Sequence, residues 1–313
     1  MRSPGKPTEL ILGNQMKSVT DSPRQDLGAK AVFVAKAIGR RALWAPYDIK
    51  HKLGGGDPLD PPRGLSFVGH GDFRDVGRWY VQQFETLGGL TAEDRILDIG
   101  CGIGRMAIPL TDFVKSGSYE GFDTSNAMIR WCQKNITSRN ENFRFTHAPI
   151  YNRKYNPFGT VLAEDFRFPY DDAQFDFAIA TSLFTHLGIV ETRHYLEEIA
   201  RVLKPGGRAL VTFFLLGGPG RPADGRDLAF DFAFAFGPLR TTDAREPEAA
   251  VAFPEELLDE EVSTAGLGIK PPITYGRWPE VAVGRDIQDM VILEKTARAR
   301  GDSSGSNGVA SPA

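Results

Sequence analysis

Apolar residues along this chain fall into two patterns. Some form short unbroken runs, and others recur every three or four positions among polar neighbours. A short apolar run bounded by turn residues reads as a buried strand, and three-to-four spacing reads as an amphipathic helix. The runs predict strands at 95–99, 119–123, 143–146, 177–181, 208–216, 269–275 and 289–295. The spaced stretches predict helices at about 26–44, 75–87, 103–114, 125–135, 190–203 and 255–265. One further segment, 228–236, reads LAFDFAFAF, and its alternating phenylalanines predict a strand with one aromatic face. Two readings stand for that face: a wall or dimer surface over a substrate, or a hairpin packed on the core.

The stretch Arg95 to Arg105, RILDIGCGIGR, joins a buried strand to a helix through Gly100, Gly102 and Gly104. Glycine permits the sharp turn and leaves no Cβ in the way of a ligand. Such a turn makes a nucleotide-sized pocket at the carboxyl end of a sheet. A dinucleotide fingerprint would read G-x-G-x-x-G; here the third glycine comes one residue early, and Arg105 stands where that pattern wants glycine. Asp98 puts a carboxylate beside the loop, which repels a pyrophosphate and suits a cationic ligand. Asp123 ends the next strand, where an acid can accept both hydroxyls of a ribose.

These residues resemble those of class I S-adenosylmethionine (SAM)-dependent methyltransferases. LDIGCGIG is similar to that family's first motif and GFD, ending in Asp123, to its second. AEDFRFPYDDAQFDFAIATSLFTHL and YLEEIARVLKPGGRALVTFF are similar to the motifs that follow. The resemblance implies a seven-stranded Rossmann-like sheet, mostly parallel with its last strand antiparallel, and helices on both faces. It implies SAM as cofactor, with Gly100, Cys101 and Gly102 against its methionine and ribose portions. Asp98 would orient the loop or the ammonium group, and Asp123 would hold the ribose. Gly104, Arg105, Thr124, Met128 and Thr181 complete the expected cofactor set. By the same resemblance Asp165 takes the adenine amino group and Phe166 the ring face, while Gly69, Gly71 and Phe73 are lid candidates. His186 is the candidate base, with Tyr151 second; a capping or core role suits His186 as well. The implied reaction is methyl transfer to an oxygen, nitrogen or carbon of a small molecule. A SAM-binding module without turnover and an NAD-dependent oxidoreductase are the alternatives.

Composition narrows the partners. The 313 residues are 41% hydrophobic and 25% charged, with a net charge of −3, as in a soluble globular protein. Nothing in that balance suggests a nucleic-acid partner. Only Cys101 and Cys132 occur, so reduced thiols and a cytoplasmic setting are expected. No apolar run is long enough to span a membrane, and no His/Asp/Glu group has metal-ligand spacing, so no metal is expected. The expected layout is a disordered segment 1–25, a helix and linker 26–72, a methyltransferase domain 73–296 with a substrate-side insertion at 217–254, and a disordered tail 297–313. The 26–44 helix is basic and amphipathic; it either packs on the domain or makes a peripheral contact with a membrane surface or partner. The chain is expected to be a monomer or homodimer. A second insertion, 147–163, reads either as a surface hairpin or as a wall of the acceptor pocket.

Overall fold

The computed structural model describes residues 27–65, 71–226, 228–281, 284 and 286–296. The expected disordered ends and the lid candidate Gly69 lie outside them. Eleven strands follow in chain order: β1 Arg95–Ile99, β2 Ser118–Asp123, β3 Phe143–His147, β4 Phe175–Ala180, β5 Leu203–Phe213, β6 Leu215–Leu216, β7 Phe234–Phe236, β8 Leu239–Thr241, β9 Val251–Pro254, β10 Leu267–Thr274 and β11 Asp289–Lys295. The helices are α1 Leu27–Leu53, α2 Phe73–Thr86, α3 Ala107–Phe113, α4 Asn126–Cys132, α5 Ile189–Val202 and α6 Glu255–Thr264.

Seven strands form one sheet in the order β10-β11-β5-β4-β1-β2-β3. All pairings are parallel except those of β11, which runs antiparallel to both neighbours. This is the sheet the resemblance implies. The strand order reverses between β1 and β4, which leaves a crevice at their carboxyl ends. Ile96 and Leu97 show why β1 reads as an unbroken apolar run. Both are fully buried, but pleating sends them to opposite faces: Ile96 joins the core under α2 and α3, Leu97 the core under α5 and α6. Asp72 caps α2 by accepting from the backbone N–H groups of Arg74 and Asp75.

Several elements differ from the sequence pattern; the strand expected at 208–216, for one, begins at Leu203 and is broken between Phe213 and Leu215. The helix expected at 103–114 begins only at Ala107, because Gly102 and Gly104 take positive φ that a helix cannot hold. The helix expected at 125–135 ends its α part at Cys132 and continues as a π turn, Gln133–Thr137. The first helix runs to Leu53, past Pro46, and takes in residues expected as linker. Its last turns are tied down: Asp48 accepts from the backbone N–H of Arg63, and the Arg63 guanidinium stacks on Trp44 and Tyr47. It buries no residue fully. Finally, the aromatic segment 228–236 is a strand only at β7. Phe230 and Phe232 pack on Phe214 and Trp278 in a satellite core, Phe236 leans on the main core, and Phe234 is exposed. No phenylalanine of this segment lines the crevice.

The satellite core is held by a buried carboxylate. Asp289 Oδ2 accepts from the Leu215 N–H and from Trp278 Nε1, and its Oδ1 accepts from the Gly276 N–H and from Arg221 Nη2 at 2.9 Å. Trp278 therefore sits in the core, away from the crevice, as its place between the last two strands predicts.

Candidate functional site

A cavity of about 220 Å³ opens at the carboxyl ends of β1 and β4. A larger open hollow, about 720 Å³, lies beside Glu120, Arg144 and Tyr170. It sits against the middle of β2 and β3 rather than at strand ends, and the glycine loop does not reach it.

The glycine loop forms one end of the cavity. Gly100, Cys101 and Gly102 line it together with Asp98. Gly102 has φ +55, and a Cβ built there would stand in open space with nothing within 4 Å. The loop is thus a cradle that any side chain would begin to fill. Gly104 differs: a Cβ there would press on Ile136 and Cys132, so this glycine serves helix packing and does not face the cavity. Arg105 lines the cavity with its guanidinium 5.3 Å from the Phe73 ring centroid. Phe73, one of the lid candidates, lines it too; Gly71 does not.

Two carboxylates flank the loop in different surroundings. Asp123 Oδ2 accepts from the Gly102 N–H at 2.9 Å and its Oδ1 from the Ser125 N–H at 2.7 Å. Each oxygen retains a lone pair for a ligand hydroxyl. Burial raises the Asp123 pKa, and these backbone donors pull it back. Asp98 is 2% exposed and, among the described residues, accepts one side-chain bond, from the Tyr119 hydroxyl at 2.6 Å. Burial pushes its carboxyl up to about 7 against the pull of that bond. Thr124 and Met128 line the cavity next to Asp123, and Thr181 lines it at the end of β4.

Asp165 and Phe166 do not reach the cavity. Phe166 is 9% exposed and packs on Phe122, with ring centroids 5.7 Å apart. The insertion before them explains this. Ile150 bridges to Val161, closing a loop that brings Tyr151, Asn152 and Tyr155 to the cavity wall and Ala163 behind them. The Ile150–Val161 bridge is parallel, so the insertion is a closed loop with one short antiparallel turn, Asn152 to Asn156, and its residues line the cavity. The two carboxylates in the lining are Asp98 and Asp123.

His186 and Tyr151 line the same cavity. His186 Nδ1 lies 2.9 Å from the Glu248 backbone oxygen. A carbonyl only accepts, so Nδ1 carries the proton and Nε2 is the acceptor nitrogen. Burial pushes the His186 pKa down, so the ring is neutral at pH 7. The Tyr155 ring meets His186 edge-on at 5.9 Å. Asn152 Nδ2 donates to the Glu248 carboxylate at 3.0 Å, and burial together with the Glu191 charge pushes Glu248 up to about 7. Sequence reasoning missed Asn152 and Glu248; Glu248 is 62 residues from His186 and no local pattern marks it. Ser182, at the carboxyl end of the fourth strand where the sequence places a ligand-binding stretch, lines the cavity at φ +54, with its N–H on Thr212 Oγ1 and its hydroxyl donating to Gln288.

The sheet order and the glycine loop match what the resemblance to class I SAM-dependent methyltransferases implies. Residues 96–207 match the family described as "Methyltransferase domain". The chain is 32% identical over 129 residues to an O-methyltransferase of Aspergillus nomiae, covering 41% of this chain and 50% of that protein. It is 34% identical over 127 residues to the 27-O-demethylrifamycin SV methyltransferase of Amycolatopsis mediterranei, covering 41% of each. The chain thus spans about half the length, or less, of these curated relatives. A SAM-dependent methyltransferase structure from Methanosarcina mazei superposes with a TM-score of 0.47 at 23% identity, over 67% of this chain and 96% of that one.

Proposed function

We propose that this protein transfers the methyl group of SAM to an oxygen, nitrogen or carbon of a small molecule. The supporting observation is one cavity lined both by an acid-flanked glycine cradle and by His186, whose pKa burial lowers. The cradle fits the donor: open space over Gly102, carboxylates at Asp98 and Asp123, and the apolar side chains of Met128 and Ile150. Bound there, SAM supplies an electrophilic methyl group on a cationic sulfur. Ionised Asp98 offers the negative charge that a cationic ligand needs in a low-dielectric wall. Asp123 accepts from ribose hydroxyls while its backbone bonds hold the loop shape. His186 Nε2 takes the proton of the acceptor nucleophile, and the Glu248 carbonyl keeps the ring in that tautomer. Holding donor and acceptor aligned away from water is worth roughly 7–11 kcal/mol of the barrier.

Parallel calorimetric titrations with SAM, S-adenosylhomocysteine and NAD test the donor assignment. Binding of both adenosyl ligands without NAD is expected; NAD binding alone would sink it. His186→Gln tests the base. It should retain donor binding and lose about 10²–10⁴-fold in turnover once an acceptor is found by screening. Unchanged turnover in that variant would leave His186 a packing residue.

A further inference from the structure

Helix α1 presents an apolar face to solvent. At 3.6 residues per turn, Leu27, Val34, Ile38, Ile49 and Leu53 fall along one side, 43% to 83% exposed. Val32 and Leu43 widen it, at 51% and 72% exposed. The opposite face touches the protein body: Phe33 meets Phe158 with ring centroids 6.2 Å apart, and Trp44 and Asp48 face Arg63. Basic residues border the apolar side, Arg41 and Lys52 along one edge and Lys36 and Lys50 along the other. Asp48 is the single acid of the helix, and its carboxylate is spent inward on the backbone of Arg63 and Gly64.

We propose that α1 is a surface helix that docks this protein on an anionic lipid bilayer. Exposed apolar residues bordered by Lys and Arg, with no free acid, suit the boundary between acyl chains and anionic headgroups. Charge argues against a second copy as the occupant, because two such helices laid face to face bring like charges together along both edges. Among the described residues no helix is long and apolar enough to cross a membrane, so α1 lies in the plane of the interface. Through Phe33 and Lys30 it touches Phe158, in the loop that walls the cavity. Docking therefore brings the acceptor side of the cavity close to the lipid.

Co-sedimentation of the full chain with vesicles tests this. Binding to phosphatidylglycerol-rich vesicles should exceed binding to pure phosphatidylcholine vesicles by about tenfold or more, and should weaken as salt is raised. The Val34→Glu/Ile38→Glu variant should lose about tenfold or more of that binding. Lys36→Glu/Lys50→Glu should lose the preference for anionic vesicles. Circular dichroism and SAM calorimetry on both variants would confirm that the fold is intact, since neither pair touches the cavity. Equal binding to both vesicle types, full retention by the folded Glu variants, or no binding by the native chain would each overturn the proposal. So would a dimer seen by light scattering that the Val34→Glu/Ile38→Glu variant abolishes while vesicles go unbound.

Discussion

Asp98, last but one in β1, and Asp123, last in the adjacent β2, have surroundings that give them different work. Asp123 is fixed by two backbone N–H donors, so it is a structural anchor of the loop as well as a ligand acceptor. Asp123→Ala should weaken SAM binding by tenfold or more, from loss of charge-assisted bonds worth about 1.5–3 kcal/mol; unchanged affinity by calorimetry would remove Asp123 from the site. Asp98 has one donor and a pKa near 7, so it changes charge in the neutral range. A cationic ligand binds its ionised form. Below pH 7 that form must first be made by releasing a proton, so affinity falls as pH falls. Between pH 8 and pH 6 the ionised fraction drops about tenfold for a pKa of about 7. The SAM affinity of the native protein should fall by about that factor relative to Asp98→Asn, in which this titration is absent. Parallel pH profiles in the two proteins would show that Asp98 does not meet the ligand's charge.

At the scale of elements, the satellite core divides the aromatic segment in a way alternation did not predict. Phe232 is fully buried against Phe214 and Trp278, while Phe234 is 46% exposed. Phe232→Ala should cost about 3–5 kcal/mol in chemical denaturation, and Phe234→Ala under about 0.5 kcal/mol. Asp289→Ala should also cost about 3–5 kcal/mol, because it leaves Arg221 charged and buried without its partner. Equal costs for the two phenylalanines would restore the reading of a regular strand. The seven main strands and the glycine loop were legible because each is a local pattern: an apolar run, or glycines that only a positive φ explains. The rest depends on contacts distant in sequence. Phe230 and Phe232 leave strand geometry because Trp278 and Phe214 offer a deeper burial site than a second sheet face would. The apolar spacing of the first helix ends at Trp44, but Arg63 and Gly64 hold the turns beyond it. Asp165 and Phe166 miss the cavity because the bridge from Ile150 to Val161 puts Ala163 there first. Glu248 reaches His186 only once β9 has folded back beside the sheet.

Over the whole molecule, two carboxyls are pushed up to about 7: Asp98, which lines the cavity by the glycine loop, and Glu248, whose backbone oxygen holds the cavity residue His186. Burial is the largest cause in both, so the folded state holds these protons more tightly than the unfolded chain does. Their contribution to stability is fully present below the unfolded pKa values, near 4, and is lost as pH rises through about 7. Groups with lowered pKa values, such as Asp176 beside Lys204 and Glu198 beside Arg201, act in the opposite direction and at lower pH. The double variant Asp98→Asn/Glu248→Gln keeps an oxygen to accept from Tyr119 and from Asn152 but removes both titrations. Between pH 5 and pH 8 the melting temperature of the ligand-free native protein should therefore fall relative to that of the variant, by about 5 °C or more if both groups ionise as buried acids. Melting temperatures that track each other across this range would mean that neither carboxyl is held protonated in the fold. The pH dependence of donor binding expected from Asp98 would then have no physical source.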